Sequence, residues 1–190
     1  MKITDITVNL LTTGRTLVRV FTDAGVTGIA DGGRSVAITR AYLDDVIKPL
    51  LVGEGALQPT RHWETLSLGN GDRATRLPPQ IVGSIDIALW DIMGKAAGMP
   101  LSALMGGAAR HEIPLYWSQG NGWKKTPEQM LRDVQRGYEQ GFRYFKVRMD
   151  WRDYRQDANP ENDFAIFKMA REWLPDDCPL GFDANNAYSV

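Results

Sequence analysis

Residues 2–11 alternate polar and apolar side chains, with Ile3, Ile6, Val8 and Leu10 as the apolar members. That period predicts a strand with one buried face. Thr12-Thr13-Gly14-Arg15 reads as a tight turn, Thr16–Thr22 as a second, β-branched strand, and Asp23-Ala24-Gly25 as the turn into a third over residues 26–30. Together they predict an antiparallel meander. The pattern then lengthens to a helical one. Ser35 is placed to cap a helix to about residue 50, with Ala41, Val46, Ile47 and Leu50 facing the core and Pro49 marking its end. Gln58-Pro59-Thr60 opens another helix. Pro78-Pro79 opens a third, apolar round much of its circumference from Ile81 to Met93 and stopped by Gly98.

From His111 the rhythm becomes βαβαβ. Strands are predicted over residues 113–117, 142–149 and 179–184, with one helix starting at Thr126-Pro127-Glu128 and another over 161–173. Strands alternating with helices imply a parallel sheet. Gly106-Gly107 is the expected boundary, dividing the chain into an α+β unit, 1–108, and a βα unit, 109–190. A closed eightfold (β/α) barrel takes about 250 residues. Residues 112–190 therefore read as the front of such a barrel, and an open parallel sheet would leave an unprotected edge after Asp183.

Composition narrows the function classes. With 43% hydrophobic and 24% charged residues, the chain has an ordinary globular make-up. A net charge of -1 gives no footprint for nucleic acid or a membrane surface. The single Cys178 cannot form an internal disulfide and reads as a buried structural thiol. No signal peptide and no segment of membrane-spanning length is evident, so a cytoplasmic protein is expected.

Candidate chemistry sits at the ends of the last two strands. In Lys146-Val147-Arg148 the two cations point to one side, the barrel interior. Their repulsion is expected to lower the proton affinity of Lys146, which suits a base. Arg148 keeps its proton and suits an oxyanion or a carboxylate. An ion-paired strand end remains the alternative. Asp183, at the end of an apolar strand, offers a hard oxygen ligand of the kind Mg2+ takes, and Asn185 falls on the same side by alternation. A capping pair in a βα loop is the alternative. Trp117 and Ser118 end the first barrel strand and either line the site or, for Trp117, fill the core. His62 reads as a packed or surface side chain, and His111 has no metal-ligand spacing to it. Gly69-Asn70-Gly71 could lie over a substrate.

Taken in order, these features resemble the enolase superfamily, and within it the mandelate racemase and muconate-lactonizing group. The resemblance rests on the meander and helices as a capping domain. It rests also on Gly83-Ser84-Ile85-Asp86-Ile87-Ala88-Leu89-Trp90-Asp91-Ile92 with Gly94-Lys95 and Pro100-Leu101 to Gly106-Gly107. Lys146-Val147-Arg148 and Asp183-Ala184-Asn185 fall where that family has its second-strand base motif and first metal ligand. The resemblance implies a capping domain on a modified (β/α) barrel, Mg2+, and a small-molecule carboxylate substrate. It implies abstraction of the proton alpha to the carboxylate, with Mg2+ and nearby cations stabilising the enediolate. Asp183 would be a metal ligand and Lys146 and Arg148 would lie beside the reacting carbon. Asn185 would face the substrate or support the metal shell, and Ser118 and Arg15 would face the substrate, the last from a capping loop over the barrel mouth.

Three departures stand out: Gly28-Ile29-Ala30-Asp31 where the family often has Gly-x-Gly-Glu, a very short loop at residues 12–15, and Arg148 where lysine is frequent. The short loop implies help from a neighbouring subunit, hence a homo-oligomer. The family takes further metal ligands from later strands, so the C-terminal half of the barrel is expected to be missing. Racemisation generally needs a base on each face of the carbon, which Arg148 disfavours. Dehydration of an acid sugar is the leading expectation. A racemase, cycloisomerase or dipeptide epimerase is the alternative, and a non-catalytic interaction domain a third.

Overall fold

Strands β1 (Ile3–Leu10), β2 (Thr16–Thr22) and β3 (Thr27–Asp31) pair antiparallel in that order, with Val8 opposite Val18 and Val18 opposite Ala30. This computed structural model describes residues 1–33, 35–68, 77–149, 157–185 and 188–189, in two units, Met1–Ala109 and Arg110–Val190. The turn between β1 and β2 needs Gly14 at φ +77°, a conformation glycine adopts without strain.

Ser35 caps α1 (Val36–Tyr42) by accepting the Ile38 N–H. The helix continues through a π turn (Leu43–Ile47) into α2 (Lys48–Leu51). Pro49 therefore lies inside the helix and does not end it. The bonding pattern has already shifted at the π turn, where a missing N–H is tolerated. Thr39, Leu43, Ile47 and Leu51 are buried, and the expected core residue Ala41 is exposed. A spacing of four drifts off one face of a helix with 3.6 residues per turn. The π turn takes up that drift and keeps the four on the core side.

Helix α3 (Pro59–Leu68) buries His62, whose Nε2 is 2.7 Å from the Gly55 carbonyl oxygen. The histidine is thus a packed core residue. Helix α4 (Pro79–Ala97) sets Ile81, Ile85, Ala88, Leu89 and Ile92 against the sheet and ends at Gly98 with φ +63°. Asp91 accepts the Ile29 N–H at 2.9 Å, and Lys95 donates to the Thr27 carbonyl at 2.7 Å. Side chains of α4 thereby occupy backbone groups on the outer edge of β3, where an unpaired strand would otherwise invite another chain. Helix α5 (Leu101–Leu104) closes the unit.

In the second unit β4 (Trp117–Gln119), β5 (Phe145–Arg148) and β6 (Leu180–Asp183) form a parallel sheet in sequence order. Helices α6 (Pro127–Glu139) and α7 (Pro160–Trp173) connect them. Thr126 and Gln129 cap α6 reciprocally. Phe145 and Val147 are buried on the helix side with Met130, Val134, Ile166 and Ala170. The first strand starts later than the expected 113–117. Pro114 has no N–H for a ladder, and Ile113 and Leu115 are exposed. Trp117 belongs to the core side: it packs on Phe142, donates to the Asp133 carbonyl, and lies where a Cβ on Gly137 would come within 2.4 Å. The chain is an α+β capping domain followed by strands and helices of a (β/α) barrel. Among the described residues no helix is long and apolar enough to cross a membrane.

Candidate active site

Register decides which side chains meet. Ser118, Lys146 and Gly181 stand level across the three parallel strands, and Arg148 stands opposite Asp183. Phe145 and Val147 point into the helix layer, so Lys146 and Arg148 point to the other face. There the Lys146 ammonium reaches diagonally to Asp183, with Nζ 2.9 Å from Oδ2. The other carboxylate oxygen, Oδ1, accepts the Asn185 N–H at 3.1 Å. Asp183 is therefore at once an ion-pair partner and the cap of its own loop.

The expected proton affinity of Lys146 is reversed. Arg148 does act to lower it, but the hydrogen bond from Lys146 to Asp183 dominates and holds the ammonium above the usual lysine range. Asp183 is held below the usual carboxylate range, first by that hydrogen bond, then by the Asn185 amide and the two cations, against some desolvation. The Asn185 expectation also changes. Its φ of +49° puts it in a left-handed turn, so strand alternation no longer sets its side.

Sequence reasoning missed Tyr116, whose ring centroid lies 5.9 Å from Lys146 Nζ. The signal was available, because Tyr116 is two residues before Ser118 and so shares its side. Arg15 belongs to the first unit. It lines a cleft of about 680 Å3 with Gly14, Asp31, Gln80, Ser84 and Ile87. The segment Gly69-Asn70-Gly71 lies outside the described residues. Among the described residues no group of three His, Cys, Asp or Glu side chains could hold a metal ion. For a hard divalent cation the described residues of this rim supply one carboxylate, Asp183, and not a full shell.

Residues 6–106 match the family described as mandelate racemase / muconate lactonizing enzyme, N-terminal domain. The chain belongs to that family, within the enolase superfamily. A member of the enolase superfamily from Polaromonas sp. JS666 shares its fold with TM-score 0.79 and 28% identity, over 100% of this chain and 53% of that one. The mandelate racemase/muconate lactonizing protein from Paracoccus denitrificans PD1222, solved with magnesium, superposes with TM-score 0.82 at 28% identity. That match covers 99% of this chain and 52% of the other. The D-galactonate dehydratase family member RspA of Halomonas elongata is 36% identical over 132 residues, 68% of this chain and 32% of that protein. A D-mannonate dehydratase of Rhizorhabdus wittichii is 35% identical over 144 residues, 73% of this chain and 36% of its own length. The chain thus spans about a third of these curated relatives and about half of the solved structures.

Proposed function

We propose that the whole protein is a cytoplasmic, Mg2+-dependent dehydratase of acid sugars, acting on an aldonate or aldarate. The observation that carries this reading is the convergence of Lys146, Arg148 and Asp183 on one face of the parallel sheet at its C-terminal rim. The dehydratase names of relatives at 35–36% identity favour dehydration over the other reactions of the superfamily.

The reaction removes the proton alpha to the carboxylate and expels the beta hydroxyl as water, leaving an enol that becomes a 2-keto-3-deoxy acid. A bound Mg2+ would supply Lewis acidity toward the substrate carboxylate, with Asp183 as one of its oxygen ligands. Arg148 holds the carboxylate with its fork of donors. Lys146 lies beside the alpha carbon. Paired with Asp183 it is an ammonium, which neutralises charge as the proton leaves. Turning it into a base requires Asp183 to exchange this partner for another cation. Ser118, level with Lys146, and Asn185 offer polar groups to substrate hydroxyls.

The test is incubation of the whole protein with D-mannonate, D-galactonate and a panel of other acid sugars in Mg2+, reading 2-keto-3-deoxy product. Product from at least one member that disappears with a chelator is expected. Exchange of the alpha hydrogen without product from any of them would replace dehydration by racemisation.

A further inference from the structure

Lys146 lies on the middle strand and has a neighbour on each side at its own level, Ser118 on β4 and Gly181 on β6. A flexible four-carbon side chain there can lean either way or fold down into the sheet interior. It leans in one direction, across β6 to Asp183. The Asp183 carboxylate draws it there, and two features of the chain favour the same direction. Gly181 has no side chain, so nothing stands between the stem of Lys146 and the end of β6. Among the described residues a Cβ at that position would approach the Phe145 carbonyl oxygen, at 3.7 Å. The backbone there is not crowded and no Lys146 atom is among those a Cβ would approach, so only a longer, branched side chain could reach toward the lysine. On the opposite side stands Tyr116, half exposed, with its ring centroid 5.9 Å from the ammonium. That is within the range where a ring face attracts a cation.

We infer that Tyr116 and Gly181 are positioning residues for Lys146, the ring backing its ammonium on one side and the absent side chain opening the other. The amine is thereby aimed at the rim beside Asp183. Lysine pays heavily in rotamer freedom when it is fixed in one geometry. A wall and an open lane set that geometry before any ligand arrives. This inference rests on the reading of Lys146 as the group beside the reacting carbon, and it predicts what each neighbour contributes to turnover.

Two measurements test it. In the 190-residue chain, the ε-methylene of Lys146 is followed by NMR in the wild type, Tyr116→Phe, Tyr116→Leu and Gly181→Val. A ring-current shift is expected in the wild type, retained in Tyr116→Phe and lost in Tyr116→Leu. Gly181→Val should break the contact with Asp183, with the other methyl resonances of the second unit unmoved. In the whole protein, Tyr116→Leu and Gly181→Val should each lower kcat by about ten- to a hundredfold with little change in KM, and Tyr116→Phe should restore it. The same ε-methylene shift in Tyr116→Leu as in the wild type would overturn the inference. So would a displaced lysine with unchanged kcat. If the wild-type protein turns over no acid sugar, the reading of the site fails, while the NMR series still decides whether these two residues set the lysine. Loss of fold in Gly181→Val leaves the Tyr116 pair as the deciding comparison.

Discussion

Lys146 Nζ stands 2.9 Å from Asp183 Oδ2, across two neighbouring parallel strands. Each group favours the charged form of the other. Asp183 is depressed, so its contribution to stability is present above the ordinary carboxylate range and is lost as pH falls through its lowered value. Lys146 is raised, so its contribution is present below the ordinary lysine range and is lost as pH rises through its raised value. The pair is intact between those limits. Replacing Lys146 with Met removes the main cause of the depression, and the Asp183 carboxyl should then titrate at higher pH. A carbon-detected NMR titration of Asp183 in both proteins checks this. An unmoved titration would mean that the Asn185 amide and Arg148 hold the carboxylate by themselves.

Asp183→Asn separates the two duties of this residue. The amide oxygen can still accept the Asn185 N–H, so the left-handed turn after β6 should survive and circular dichroism should be unchanged. The charge that would attract a divalent cation is gone. Turnover of an acid sugar by the whole protein should fall below detection, and its Mg2+ affinity should drop measurably in calorimetry. Near-normal turnover would leave Asp183 as a loop cap alone.

Arg148 stands opposite Asp183 in the ladder and is exposed on the open face of β5. Arg148→Lys keeps a cation and loses the planar fork. KM for the acid sugar should rise by roughly tenfold, a little over 1 kcal/mol, while part of kcat remains. Solvent deuterium entering the substrate alpha position faster than in the wild type would show that a lysine at this place handles a proton. Loss of kcat with unchanged KM would instead assign Arg148 to charge that develops during the reaction.

The fold was legible because its signals are local. The period of two in β1, the capping residues Ser35 and Thr126, and the βα rhythm after His111 each depend on a few neighbouring residues. The alternation in Lys146-Val147-Arg148 likewise placed the two cations on one face. What failed depended on partners distant in sequence. The sign of the Lys146 shift hinges on a diagonal contact to a residue on another strand, which no reading of Lys-x-Arg reveals. Asn185 left the alternation because its backbone turns left-handed directly after the strand. Pro49 looked like a stop because the π turn before it has no sequence signature. Asp163 is buried, takes the Tyr188 hydroxyl at 2.7 Å on one oxygen, and nothing in the pattern of α7 distinguishes it from a surface acid.

Two glycines of the capping domain should respond oppositely to the same change. At Gly28 on β3 a Cβ would fall 1.9 Å from the Ala88 carbonyl oxygen and 2.8 Å from Ile92 Cγ1. The first of these is helix backbone and cannot step aside. Gly28→Ala must therefore lift β3 from α4, loosening the Asp91 bond to Ile29 and the Lys95 bond to Thr27 as well. Overpacking of this kind should cost about 3 kcal/mol or more. At Gly83, inside α4, a Cβ would meet nothing within 4 Å, and the backbone is helical. Gly83→Ala removes unfolded-state freedom without strain and should stabilise by about 0.5–1 kcal/mol. Urea unfolding of the two variants against the wild type is the measurement. Equal midpoints for Gly28→Ala and the wild type would mean that β3 and α4 do not approach as closely as the Gly28–Ala88 contact requires.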